Sequence, residues 1–248
     1  MMPVFINFRC NFITQKHGFV VKVNCYVAHT VYYLRAMTDK KVIAEKLLQV
    51  KAIKLSVNNP FTWASGWKSP IYCDNRKVLS FPFVRDFIKS EMCNVIFQAF
   101  ENADMIAGVA TAGIPWGAMA ADQLKLPFIY VRPKPKSHGL GNQIEGYYEP
   151  GKRVVVVEDL ISTGKSSLQV IDVLKAAGLQ IEGMVSIFNY GFDEAKKAFE
   201  ESGILLKSLT DYPSLIELAI NQNSISQNDQ EQLLQWRKDP ANWHTSSL

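Results

Sequence analysis

Four consecutive valines, Val154 to Val157, constrain this chain more than any other stretch. A β-strand sends alternate side chains to opposite faces, so a run that is apolar at every position needs a hydrophobic layer on both sides. That is the setting of an inner strand in a parallel sheet covered by helices. Two carboxylates follow at once, Glu158 and Asp159, then Leu160 and Ile161, then the small loop Ser162-Thr163-Gly164. Lys165 and Ser166 open a stretch with Leu168, Ile171, Val173 and Leu174 at helical spacing, closed by Gly178. The pattern predicts a strand over 153–157, an acid pair where it emerges, a short loop and a helix over 165–177. Adjacent carboxylates repel, and core packing gives no reason to place them together. Open α/β sheets bind ligands at that edge. Loop N–H groups and a helix N-terminus can hold a phosphate dianion, and two acids can accept hydrogen bonds from neighbouring hydroxyls. The stretch therefore reads as a site for a phosphorylated sugar.

The rest of the chain supplies the sheet around it. Helical spacing of Val42, Ile43, Leu47 and Val50, capped by Thr38 or Asp39, predicts a helix over 39–51. A strand is expected over 53–57 and an aromatic loop over 58–76. A long amphipathic helix is expected over 81–101, with Pro82 in its first turn and Phe83, Phe87, Ile88, Val95, Ile96 and Phe100 on its buried side. Strand 105–109, helix 115–125 and strand 127–131 precede the valine strand. Strand 181–188, helix 192–201, strand 204–209 and helices 213–221 and 226–238 follow it. Alternating strands and helices with short connections imply an α/β fold: a doubly wound, mostly parallel sheet flanked by helices.

At 248 residues the chain can hold one large domain, and a net charge of +4 without a dense Lys/Arg stripe is no nucleic-acid signature. The four cysteines, Cys10, Cys25, Cys73 and Cys93, show no metal or disulfide spacing, so a reducing cytoplasm is the expected location. No apolar run reaches the roughly 18 residues of a spanning helix, so no membrane partner is expected. Residues 1–36 are aromatic and β-branched, with scattered cations and no secretory-signal pattern; they read as an extension, upstream-translated or poorly ordered, before a domain over 37–248. His17, His29 and His244 sit in no chemical context and are assigned to surface or packing.

Three further segments carry chemistry. Gly108-Val109-Ala110-Thr111-Ala112-Gly113-Ile114-Pro115 follows an apolar strand, and its small residues let backbone amides approach a ligand. Roughly 20 residues from Tyr130 to Glu149, expected to be structureless, begin with Arg132, Pro133, Lys134, Lys136, His138 and Gly139; a long loop of this kind is usually functional, often a lid. Phe61-Thr62-Trp63-Ala64-Ser65-Gly66-Trp67-Lys68-Ser69-Pro70 leads to Ile71-Tyr72-Cys73-Asp74-Asn75-Arg76.

Together these segments resemble the type I phosphoribosyltransferases, which use 5-phosphoribosyl 1-diphosphate (PRPP). The hood segment 61–76 is similar to F-T-x-x-S-G-x-x-S-P-x-Y-x-D-x-R, and 132–139 to a lid R-K-x-x-K-x-H-G, which narrows the resemblance to the orotate-using members. The resemblance covers about 37–248, including the tail Trp236 to Trp243. It implies that Glu158 and Asp159 meet the ribose hydroxyls, and that Leu160 and Ile161 with Ser162, Thr163, Gly164, Lys165 and Ser166 enclose the 5′-phosphate. It implies that Thr111, Ala112 and Gly113 hold the diphosphate, with Arg132, Lys134, Lys136 and His138 reaching PRPP from a mobile lid. Lys136, Arg132 and His138 are the expected catalytic residues. Mg²⁺ would arrive on PRPP, with no protein metal site, and a homodimer would place each lid on its neighbour's site.

The chain departs from the pattern in three places. Pro133 stands where the lid's second basic residue is expected, with Lys134 one place later. Ala64 replaces a lysine common among relatives. Phe188-Asn189-Tyr190-Gly191 stands where many relatives place an arginine that helps to hold orotate, so backbone amides or Ser162 are the alternative partners for the orotate carboxylate. Two rivals are a purine-using enzyme of the same fold, which would lack the hood segment, and a PRPP-sensing regulator, which would need a DNA-binding appendage. Residues 1–36 show no helix-turn-helix periodicity.

Overall fold

The computed structural model describes residues 38–63, 65–134 and 142–243, together with two short strands, β1 (Gln15–Lys16) and β2 (Phe19–Val20). The chain divides into two compact units, Met1–Met37 and Thr38–Leu248. In the first, β1 and β2 pair antiparallel, with Gln15 opposite Val20. The second opens with α1 (Lys40–Gln49), whose N-terminus is capped by the Asp39 side chain accepting from the Lys41 amide. Then come β3 (Ile53–Leu55), β4 (Phe61–Thr62), β5 (Lys68–Ser69), β6 (Ile71–Cys73), a 3-10 turn over Asn75–Ser80 and α2 (Pro82–Ala99). The sheet and its crossovers follow: β7 (Met105–Val109), α3 (Gly113–Leu124), β8 (Phe128–Val131), β9 (Ile144–Glu145), β10 (Arg153–Ile161) and α4 (Lys165–Ala176). Completing it are β11 (Gln180–Asn189), α5 (Asp193–Ser202), β12 (Leu206–Asp211), α6 (Tyr212–Asn221) and α7 (Gln227–Lys238).

Six strands form the main sheet in the order β12-β11-β10-β7-β8-β9. Every pairing is parallel except β8 with β9. The valine run does what its composition demands. Val155 and Val157 enter one core with Ile88, Trp116 and Leu215, from α2, α3 and α6. Val154 and Val156 enter the other with Val170, Leu174 and Phe199, from α4 and α5. All four are completely buried, each contributing about 1.5–3 kcal/mol of transfer free energy. The expected doubly wound, mostly parallel sheet is the architecture found.

The differences are local. The valine strand does not end at 157. Its pairing with β7 stops at Val157, but its pairing with β11 runs on from Glu158 opposite Ser186 to Ile161 opposite Asn189. The acids thus lie inside the strand and lose a neighbour on one side only. Segment 58–76 is not a plain loop; β4 pairs with β5 and β3 with β6, each antiparallel over two or three residues, too short for periodicity to show. Strand β9 likewise interrupts 130–149. Phe83 is 93% exposed, because the buried stripe of α2 runs through Ile88, Met92, Val95 and Ile96, and Phe83 falls on another face. Val42 is also exposed, beside the α1 stripe of Ile43, Ala44 and Leu47. The helix expected at 115 begins at Gly113, where a Cβ would lie 2.4 Å from the Val157 carbonyl oxygen. Only glycine lets the first turn of α3 rest against β10 at the point where the acid pair begins.

Candidate active site

Glu158 and Asp159 stand at the C-terminal edge of β10. Glu158 is only 7% exposed. One carboxylate oxygen accepts from the Asp159 amide at 2.9 Å and the other from the Ser167 hydroxyl at 3.4 Å. Burial pushes the Glu158 carboxyl well above the usual carboxylate range, and the neighbouring Asp159 charge adds to the effect. Burial also raises Asp159, opposed by its hydrogen bond with Glu158 and by the Arg76 charge. Neither acid has a salt-bridge partner among the described residues. A buried and a half-buried carboxylate side by side without an ion-pair partner cost stability, and acceptors of this kind suit a polyhydroxyl ligand.

Beyond the acids the chain turns through Ser162, Thr163 and Gly164 into α4. Gly164 has φ +77°, and the helix start carries no side-chain cap, whereas α1, α6 and α7 are capped by Asp39, Asp211 and Ser226. An uncapped N-terminus leaves N–H donors for an anion. Ser162 and Thr163 are half-buried, and Lys165 and Ser166 exposed. Leu160 and Ile161, grouped with this loop from the sequence, turn their side chains into packing: Ile161 is fully buried in the α4 and α5 core and Leu160 packs against the other. What they offer a ligand is main chain.

The segment after β7 makes a second uncapped helix start, with Ala112 at the N-cap of α3 and no side-chain hydrogen bond. Thr111 is exposed, Ala112 half-buried and Gly113 buried, and the Ala110–Thr111 peptide is cis. Arg132 leaves the end of β8. Its amide donates to the Gln143 carbonyl at 2.9 Å, its carbonyl accepts from Gln143 Nε2 at 2.7 Å, and its guanidinium lies 3.6 Å from Glu145. Lys134 is exposed. Lys136, His138 and Gly139, and likewise Ala64, His17, His29 and His244, lie outside the described residues. A cavity of about 390 Å³ is lined by Ala110 and Arg132 and by Ser166, Gln169 and Asp172 of α4; the acid pair does not line it.

The hood meets the acids through a residue the sequence did not mark. Asn75 is completely buried, and its Nδ2 donates to the Asp159 carbonyl at 2.7 Å. Asn75 falls at a free position between Asp74 and Arg76, and nothing in its spacing sets it apart. Ser167, which supports Glu158, was missed for the same reason. The place after β11 is taken by Tyr190, 1% exposed and stacked on Phe192 at 5.4 Å, so this position supplies packing and no charge.

A phosphoribosyl transferase domain family matches residues 86–206. A Bacteroides fragilis orotate phosphoribosyltransferase is 52% identical over 206 residues, covering 83% of this chain and 97% of the relative. The chain belongs to the orotate phosphoribosyltransferase family. A Listeria monocytogenes orotate phosphoribosyltransferase is also 52% identical, over 84% of this chain and 99% of its own. Among solved structures, an Aeropyrum pernix orotate phosphoribosyltransferase superposes with a TM-score of 0.64 at 30% identity, covering 74% of this chain and 99% of that one. Leishmania donovani UMP synthase gives 0.67 at 27% identity, over 81% of this chain and 43% of that one. In this member of the orotate phosphoribosyltransferase family the acid pair, the uncapped starts of α3 and α4 and Arg132 after β8 all lie at the C-terminal edge of a single sheet.

Proposed function

We propose that this chain transfers the 5-phosphoribosyl group of PRPP to orotate, giving orotidine 5′-phosphate and diphosphate in pyrimidine (UMP) biosynthesis. The observation that carries the reading is the Glu158–Asp159 pair, without an ion-pair partner among the described residues, beside the uncapped starts of α3 and α4. The relatives' shared name supports the choice of base, as does the hood segment. Glu158 and Asp159 accept from the ribose hydroxyls, the Ser162–Ser166 loop holds the 5′-phosphate, and Thr111, Ala112 and Gly113 face the diphosphate. The phosphate contacts do not react, so they hold C1′ for attack by N1. The C1′–O bond to diphosphate breaks as the C1′–N1 bond forms, and the N1 proton is released to the departing diphosphate or to solvent. Positive charge then grows on the ribose and negative charge on diphosphate, and fixed groups stabilise both. Lys136 and Arg132 supply cations at the diphosphate, and His138 a proton. Ser162 or backbone amides receive the orotate carboxylate.

Mg²⁺ fits as a companion of PRPP. Among the described residues no group of three or more His, Cys, Asp or Glu is placed to hold a metal ion. Mg²⁺ is commonly held by substrate phosphate oxygens with few protein ligands, so the residues that hold PRPP would hold the cation with it, and it would offset charge on the diphosphate. The catalytic unit is residues 37–248, and 1–36 is an extension. In support, the Bacteroides fragilis match uses 97% of that relative but only 206 of the 248 residues here. No described helix is long and apolar enough to cross a membrane, and the reaction is assigned to the cytoplasm.

The purified chain should consume orotate in a PRPP- and Mg²⁺-dependent manner; unchanged orotate absorbance with fresh PRPP and Mg²⁺ would reject the assignment. The active form is a homodimer whose lids act in trans. Mixing Lys136→Ala with Asp159→Asn subunits should then restore part of the activity, since each mixed dimer holds one site with an intact lid and intact acids. Subunits that exchange yet stay as inactive as either parent would place the lid on its own subunit.

A further inference from the structure

The hood is fastened to the domain at both ends by buried polar groups. At one end Asn75 Nδ2 donates to the Asp159 carbonyl at 2.7 Å, while its Oδ1 accepts from Cys73 Sγ at 3.4 Å. That single amide joins the turn after β6 to the strand that carries both acids. Arg76, next in the turn, keeps its Nε 2.6 Å from Asp74 Oδ1. At the other end Trp236 of α7 is completely buried, and its indole N–H donates to the Lys68 carbonyl at 3.1 Å. Its ring stands edge-on to Trp63 at 5.9 Å, and Trp63 packs on Tyr190 at 5.1 Å. Helix α7 is held in turn by the Tyr212 hydroxyl donating to the Leu233 carbonyl at 3.0 Å and by Arg237 donating to the Gly191 carbonyl at 3.0 Å. Lys68 lies on β5, paired with β4. The β4–β5 hairpin therefore cannot shift without breaking the Trp236 bond, nor can the turn at Asn75 shift without moving Asp159.

We propose that Asn75 and Trp236 are positioning residues that fix the base-covering hood relative to the ribose acids, Asn75 through Asp159 and Trp236 through the Lys68 carbonyl. The inference rests on the orotate phosphoribosyltransferase reading, in which the hood covers the base and the acids hold the ribose. N1 and C1′ then belong to different halves of the site, and the two fastenings set their separation. A misplacement of about 1 Å between reacting atoms costs on the order of 100-fold in rate.

The two residues should leave different kinetic signatures. Asn75→Ala should lower kcat roughly 10- to 100-fold, with KM for PRPP within about threefold, because the phosphate loop is untouched. Trp236→Phe keeps an aromatic side chain but removes the N–H donor and leaves a cavity where the larger indole packed, so Tm should fall; KM for orotate should also rise about five- to tenfold while KM for PRPP stays put. If Asn75→Ala does not fold, Asn75→Ser reads the same quantities. Folded variants with wild-type kcat and both KM values, or with only a lowered Tm, would overturn the proposal. A wild-type chain that never consumes orotate would overturn the functional reading instead. Amide exchange then decides the fastening: Asn75→Ala should speed exchange of the 71–76 amides while β12 stays protected, and unchanged exchange would overturn it.

Discussion

The two ends of β10 handle the same chemical group in opposite ways. At its start, Asp104 is met by Arg153 three times: Nε at 3.0 Å, Nη2 at 2.9 Å and the Arg153 amide at 2.9 Å. Those bonds pull the Asp104 carboxyl down to about 2. At its far end Glu158 and Asp159 are pushed up, with more burial and no ion-pair partner. One end of the strand is built to be satisfied by the protein itself. The other has no ion-pair partner among the described residues, and on the proposed reading its acids meet the ribose hydroxyls of the substrate. Local rules that hold through a fold are broken where a ligand binds, and in an α/β sheet that place is the C-terminal edge.

Asp159→Asn breaks the contrast most severely. Losing one charge-stabilising acceptor should lower kcat/KM on the order of 10²–10³-fold. Stability should hold or rise. A carboxyl whose folded pKa is raised binds its proton more tightly folded than unfolded, so the folded state loses ground as pH rises through that pKa. Ionising the pair is therefore a net cost to the folded state, and the amide removes part of it. Kinetics and thermal melts at pH 7.5 measure both sides. A variant that loses activity and several degrees of Tm together would make the acids structural and dissolve the comparison.

The sequence made the functional edge of the sheet easier to read than its surroundings. Val154 to Val157 demanded helices on both faces, so strand and sheet class were visible without tertiary knowledge, and two acids after them with no packing rationale marked the candidate site. The true length of β10 was hidden, because Glu158 and Asp159 look like a strand end, yet pairing with β11 continues through Glu158, Leu160 and Ile161. The hood strands of two or three residues carry too little periodicity to show. Asn75 and Trp236 were invisible for another reason: their partners lie 84 and 168 positions away, and only the folded chain brings Asp159 and Lys68 to them. Lys136 and His138 still rest on their spacing from Arg132, since they lie outside the described residues.

A middle-sized effect should come from Gly113→Ala, which sharpens the contrast by perturbing the same edge sterically instead of electrostatically. The added Cβ would lie 2.4 Å from the Val157 carbonyl oxygen, so either α3 or β10 must move. Overpacking of this kind costs about 1–3 kcal/mol, a drop in Tm of roughly 2–4 °C per kcal/mol at this size. Because the displaced atoms adjoin Glu158 and the Thr111–Ala112 turn, activity should fall as well. Unchanged melting would mean that the α3 start is looser than its packing suggests.

The smallest effect belongs to the other end of the strand. Asp104→Asn removes a carboxylate that is paired but partly exposed, with 24% of its side chain accessible against 37% for Arg153. Exposed pairs contribute at most about 1 kcal/mol, and solvent screening trims that further. The sign is the reverse of the acid pair's. A folded pKa lowered to about 2 adds stability that is fully present above the unfolded value of about 3.9 and is lost as pH falls through the folded one. The wild-type chain should therefore melt slightly above Asp104→Asn at pH 6, and the gap should narrow between about pH 4 and pH 2. Orotate turnover at pH 7.5 should not change, because this end of β10 faces away from the chemistry. A Tm gap that stays constant across that range would assign the Asp104–Arg153 contact to hydrogen-bond geometry alone. The two ends of the strand would then differ in shape and not in charge.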